Sequence, residues 1–165
     1  MIEMDVVNVG MLAGSANIVL VLKEHEGERL LVMEIGPLEA NAIAMALEEA
    51  APPRPLTHDL FTTVLGELDA RVDSVTIVDF RDSTFYGQLN LDTPAGPLAL
   101  DARPSDCVAL ALRQQAPVYV QPDVLDRAGV VPADGPDDGL DEDDLDEDDD
   151  EGEGEDFGDQ GGSVH

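Results

Sequence analysis

The sequence predicts an α+β domain, an antiparallel or mixed β-sheet with helices packed on it. Three observations carry that expectation. Strand-like runs come in groups broken by turn residues, as in "NIVLVLKEHEGERLLVMEI" and again in "VDSVTIVDF", "TFYGQLNL" and "PLALDA". Each group is followed by an alanine-rich segment with apolar residues at helical spacing. A hydrophobic content of 43% in 165 residues can fill the core of one domain of ordinary size.

Taken in order, "MIEMDVVNV" reads as a first strand, and residues 17–23 and 29–35 as a hairpin around the polar turn at residues 25–28. Gly36 stops that strand. Pro37 suits a first helical turn, where its missing N–H is no loss, so a helix is expected over residues 37–50, up to the break at Pro52 and Pro53. Thr57 is placed to cap a second helix over residues 58–70, in which Leu60, Phe61, Val64, Leu65 and Leu68 form one apolar stripe. A second antiparallel meander follows over residues 72–80, 84–91 and 97–102, with turns at residues 81–83 and 92–96. Ser105 is expected to cap a helix that runs to about residue 115; "PVYV" at residues 117–120 is a short strand, and a brief helix covers residues 123–128.

The domain is expected to cover residues 1–131. Residues 132–165 hold 17 of the 37 acidic residues and no Lys or Arg, so this segment carries −17; the first 131 residues, with 20 acids against 8 bases, carry −12. A segment so charged and so poor in large apolar groups cannot offset its ordering entropy, and it is expected to be a disordered acidic tail.

Composition narrows the function. An acidic body is poorly steered toward phosphate polymers, which weighs against tight nucleic-acid binding. Cys107 is the only cysteine, which leaves no intrachain disulfide or thiolate cluster and fits a reducing cytoplasm. The N-terminus has acids where a signal peptide carries Lys or Arg, and the run "IVLVL" is far below the roughly 20 residues of a membrane span, so no membrane partner is expected. No phosphate-binding glycine loop occurs, so a nucleotide cofactor is not indicated.

An internal echo stands out. With Pro37 laid over Pro104, Glu39 falls on Asp106, Ala40 on Cys107, Ala42 on Ala109, Ile43 on Leu110 and Ala44 on Ala111. Each segment follows a strand group, so a duplicated β-rich–α unit is one account of the chain, and shared helix-start preferences are the other. An acid two residues after the starting Pro is explained by the exposed N–H groups of the first turn, worth about 0.3–1 kcal/mol. Glu39 also lies on the apolar arc of its helix, away from Asn41, Glu48 and Glu49, so it is either satisfied by a partner or functional.

At these residues the sequence resembles the bifunctional nuclease domain family. The matching text is "IGPLEANAIAMALEEAAPPRPLTHDLFTTVL", "VTIVDFRDSTFYGQLNL" and "LDARPSDCVALALRQQAPVYV", with "PPRPLTHDL" and "DARPSD" the most specific parts; the acidic tail lies outside the family pattern. The resemblance implies an α+β domain, often a homo-oligomer, named for combined RNase and DNase activity, with nucleic acid as substrate.

Such an activity, run with divalent metal, needs carboxylates that converge on Mg²⁺ or Mn²⁺. The candidates are Glu39, Asp79, Asp82, Asp101 and Asp106, with Glu39, Asp101 and Asp106 as the metal set; Arg81 and Arg103 would hold phosphate oxygens. His58 would serve as general base or ligand, with Asp59 orienting it. Against this stands a structural account in which Arg103 pairs with Asp101 or Asp106 to fix the corner, Asp82 and Ser83 make a hairpin turn, Asp79 lines a strand edge and His58 is a solvated helix-start residue. Ser105 and Cys107 are expected to cap and pack. The alternative function is a non-catalytic interaction or regulatory module whose acidic tail binds basic protein partners or mimics nucleic acid.

Overall fold

The computed structural model describes residues 1–11, 16–50 and 52–132; the acidic segment beyond them lies outside the described residues. Strands β1 (Ile2–Met11), β2 (Ile18–Glu24) and β3 (Leu30–Ile35) form an antiparallel meander, followed by helices α1 (Pro37–Leu47) and α2 (Thr57–Glu67). Strands β4 (Arg71–Arg81), β5 (Thr84–Asp92) and β6 (Leu98–Ala102) form a second meander, followed by helix α3 (Pro104–Gln114). Strand β7 (Val118–Val120), helix α4 (Pro122–Ala128) and the two-residue strand β8 (Gly129–Val130) complete the described fold. The three-strands-then-helix order therefore occurs twice, and both helices begin with a proline.

All eight strands join one sheet in the order β6-β5-β4-β7-β1-β2-β3-β8. β7 fuses the two meanders. It runs antiparallel to β1, with Ile2 opposite Val120, and parallel to β4, with Val75 opposite Val118. Val118 and Val120 are buried, so this three-residue strand ties both halves into one core. β8 was not foreseen, because a two-residue pairing with Leu30 and Leu31 leaves no period to read.

α1 packs on β1 and β2, α3 on β4 and β5, and the two helices pack on each other. Leu20, Leu22, Leu31, Ile43, Val75, Ile77, Val108, Val120 and Leu125 are fully buried between these layers, each worth about 1.5–3 kcal/mol of transfer free energy. On β4 and β5, Asn90 donates to Ser74 and Thr76, and Gln88 donates to Asn90, an interlocked polar row.

Three local expectations are corrected. α2 begins at Thr57 itself, and its cap residue is Leu56, whose N–H donates to the Asp59 carboxylate at 2.8 Å. α3 is preceded by Arg103, and Ser105 sits inside the first turn, 6% exposed, without capping it. Of the α2 stripe only Leu65 is buried; Leu60, Phe61, Val64 and Leu68 are 57%, 42%, 47% and 64% exposed.

Candidate functional site

The β6–α3 corner answers why "DARPSD" holds so many charges. Pro104 starts α3, which leaves Arg103 extended just before the helix and puts Asp106 in its first turn. Glu39 occupies the same place in α1. Both carboxylates thus lie at positive helix ends. Arg103 donates from Nε to Asp106 Oδ2 at 2.8 Å and from Nη1 to Glu39 Oε1 at 2.8 Å, tying the two helix starts together. Asp106 first, then Glu39, holds the guanidinium firmly charged.

The first turn of α2 brings a fourth member. His58 Nε2 lies 3.2 Å from Asp106 Oδ1, so Asp106 spans His58 and Arg103 with its two oxygens. Exposure differs across the set. Glu39 and His58 side chains are 18% and 17% exposed, whereas Arg103 is 67% exposed, so the guanidinium is the member open to solvent.

Beside them opens a cleft of about 330 Å³, lined by Met33, Ile35, Glu39, Phe85, Arg103 and Ser105 among others. Its wall includes the β4–β5 turn, where Asp82 and Ser83 both take the left-handed conformation with φ of 49° and 57°, as a two-residue hairpin turn demands. Gly87 allows the corner to pack closely on β5. A Cβ there would stand 2.9 Å from the Ala102 carbonyl and 3.0 Å from Pro104 N, backbone atoms that cannot yield without moving Arg103.

Asp59 does not orient His58. Successive helical residues point about 100° apart, and Asp59 instead accepts from Arg113 Nε at 2.6 Å and from the Leu56 N–H. These bonds, with Arg113 the larger cause, hold its carboxyl below the usual range. Arg113, which sequence reasoning missed, is 11% exposed and also donates to the Ala42 and Ala109 carbonyls, so it anchors α2 to α1 and α3. Its signal was positional, as the one basic residue in the last turn of α3.

The other candidates stand apart. Asp101 pairs in register with Gln88, on the sheet face opposite to Leu89 and Leu100, and its side chain makes no hydrogen bond or ion pair among the described residues. Arg81 lies over the Tyr86 ring at 4.1 Å and 3.5 Å from Asp79. Asp79 is held mainly by Arg127, another residue not foreseen, which also bonds Asp123 and the Phe80 carbonyl. Cys107 is buried, and burial pushes its thiol up to about 12, so it is no nucleophile.

For a divalent metal the arrangement is not preformed. Among the described residues no three His, Cys, Asp or Glu side chains converge as a metal centre requires. Glu39 and Asp106 approach one another, but Arg103 lies between them and Asp101 faces elsewhere. What the cluster offers is a solvent-open guanidinium for an oxyanion beside an imidazole set by a carboxylate.

The bifunctional nuclease domain pattern matches residues 20–133, more than half of the chain. The chain belongs to the bifunctional nuclease domain family. Two proteins of Mycobacterium tuberculosis, one from strain CDC 1551 / Oshkosh and one from strain H37Rv, are each 43% identical over 120 residues, covering 73% of this chain and 71% of theirs; both carry the name uncharacterized protein. All four residues of the cluster, Glu39, His58, Arg103 and Asp106, lie inside the family's matched segment. No helix among the described residues is long and apolar enough to cross a membrane.

Proposed function

We propose that this protein hydrolyses phosphodiester bonds of RNA, DNA or both at the Glu39–Arg103–Asp106–His58 cluster. The observation that carries the proposal is Asp106, whose two oxygens engage a histidine and a solvent-open arginine, the arginine lining a cleft together with Glu39. Membership in a nuclease family supports it.

In this mechanism Arg103 leaves its carboxylates for the non-bridging oxygens of the phosphate and offsets charge that grows in the transition state. Glu39 and Asp106 hold it ready. With Nε2–H directed at Asp106, His58 keeps Nδ1 free to take a proton, from water in DNA or from the 2′-hydroxyl in RNA, and to return it to the leaving oxygen. No step is assigned to a metal; Mg²⁺ or Mn²⁺ would have to take the place of Arg103 between Glu39 and Asp106.

The test is cleavage of single-stranded RNA and DNA by highly purified full-length protein in Mg²⁺, Mn²⁺ or EDTA, beside Arg103→Met, His58→Gln and Asp106→Asn. Each variant should lose at least about 10²-fold in rate. Loss in EDTA would add a metal to the site. Cleavage equal in wild type and all three variants would sink the proposal.

The acidity of the body and tail favours one second account, a non-catalytic module whose residues 132–165 bind basic partners. That account requires salt-sensitive capture of a basic protein which disappears when residues 132–165 are removed.

A further inference from the structure

Two kinds of lining meet in the cleft beside Arg103. The starts of α1 and α3 give it Glu39, Arg103 and Ser105, and strands β3 and β5 give it Met33, Ile35 and Phe85. Ser105 is 6% exposed, yet its hydroxyl makes no hydrogen bond among the described residues, a cost that a ligand in the cleft would relieve. The first helical bond of α3 runs from the Cys107 N–H to the Arg103 carbonyl, so the Ser105 and Asp106 N–H groups lack an acceptor in their own helix. Hydroxyl, helix start and guanidinium together suit one phosphate. On the apolar side Phe85 is half-buried, and Phe80 backs its ring with 4.4 Å between centroids.

We infer that this cleft takes one unpaired nucleotide of the substrate strand, with its phosphate at Arg103 and Ser105 and its nucleobase on Phe85, which makes Phe85 a specificity residue for single-stranded nucleic acid. The choice of a nucleotide rests on the proposed phosphodiester hydrolysis. Size agrees with it. At about 330 Å³ the cleft lies at the low end of the roughly 300–1,000 Å³ of small-molecule sites, room for one nucleotide and not for a duplex. Charge points the same way. Proteins that hold a duplex by its backbone make about 6–10 phosphate contacts, whereas the first 131 residues carry −12 and Arg103 is the one cation among the described residues that line the cleft. Affinity must therefore come in large part from the nucleobase. A nucleobase offers its face to an aromatic ring only when it is unpaired or flipped out of its stack.

NMR titration of the isotope-labelled full chain with uridine 5′-monophosphate, and with ribose 5-phosphate as the probe that lacks a nucleobase, tests this. Neither probe contains a phosphodiester bond, so the readout does not depend on cleavage. The nucleotide should shift the amides of Phe85, Arg103 and Ser105 and bind at least about tenfold more tightly than ribose 5-phosphate. Phe85→Leu, which keeps an apolar group against Phe80, should remove that advantage and leave ribose 5-phosphate unchanged. Ser105→Ala should weaken both probes about fivefold. A single-stranded oligonucleotide should displace the nucleotide, and the same strand annealed to its complement should not. No binding in the cleft, equal affinity for the two probes, indifference to Phe85→Leu, or equal displacement by strand and duplex each overturns the inference and leaves hydrolysis to its own test. Ser105→Ala without effect overturns the placing of the phosphate. Binding that depends on Phe85, in a protein that cleaves neither RNA nor DNA, would uphold the nucleotide site and sink the proposed hydrolysis.

Discussion

Helices α2 and α3 are each 11 residues long, each shows apolar residues at helical spacing, and they use them in opposite ways. α3 buries Cys107, Val108, Ala109, Leu110 and Ala111 against the sheet and α1, whereas α2 buries Leu65 alone and shows the rest of its apolar stripe to solvent. Periodicity reports that a helix has an apolar face, not what that face meets. What fixes α2 on the domain is polar: Asp59 to Arg113, and His58 to Asp106.

The sharpest way to break the comparison is one substitution made in both helices. Val108→Asp puts a charge where no water or partner can reach it, since Val108 is 0% exposed, and should cost more than about 4 kcal/mol, enough to prevent folding. Val64→Asp, at a position 47% exposed, should change stability by no more than about 0.5 kcal/mol. Urea unfolding, at concentrations too low for association, measures both. A large loss at Val64 would mean that the stripe faces the domain after all.

Arginines repeat the contrast at smaller scale. Arg113 is 11% exposed and Arg103 67%, yet each joins two helices through carboxylates. Arg113→Met leaves Asp59 and two carbonyls short of a donor and should cost about 1–3 kcal/mol. Arg103→Met should cost little stability, because an exposed pair is screened by solvent, while abolishing cleavage. Equal destabilisation by the two would make Arg103 a structural clamp and remove the main support for the proposed mechanism.

Much of this was legible in the sequence, and what was not has physical causes. The two meanders, four helices and β7 followed from period and turn chemistry, and the Pro-started echo placed Glu39 and Asp106 in equivalent first turns that the fold brings to one arginine. Arg103 was expected to pair with Asp101 or Asp106; it takes Asp106 and Glu39, while Asp101, within β6, lies on the sheet face opposite to Leu89 and Leu100. Contacts made across 40 or more residues, such as Arg113 with Asp59 and Arg127 with Asp79, leave no trace in local spacing. Nor does a helix sequence say whether its stripe is met by its own chain or by another.

Acid offers a smaller effect that isolates the α2 anchor. Asp59 has its carboxyl held low by Arg113, so the stabilisation is fully present above the ordinary carboxylate value of about 4 and is lost as pH falls through the depressed one. The stability gap between wild type and Arg113→Met should therefore narrow from pH 7 to pH 3. A gap that stays constant would place the role of Arg113 in its carbonyl bonds to Ala42 and Ala109.

The smallest perturbation is a single thiol, and it reads the two helices directly. Cys107 on α3 is 0% exposed with its thiol pushed up to about 12, so at pH 8 it is both protonated and out of reach. A disulfide reagent should modify it only as fast as the chain opens, and faster in urea in step with unfolding. Val64→Cys adds a second thiol at an exposed position of α2, on a background already holding the slow one. It should react at the rate of a free cysteine, while Cys107 stays slow. Two thiols that react alike would erase the distinction between the helices.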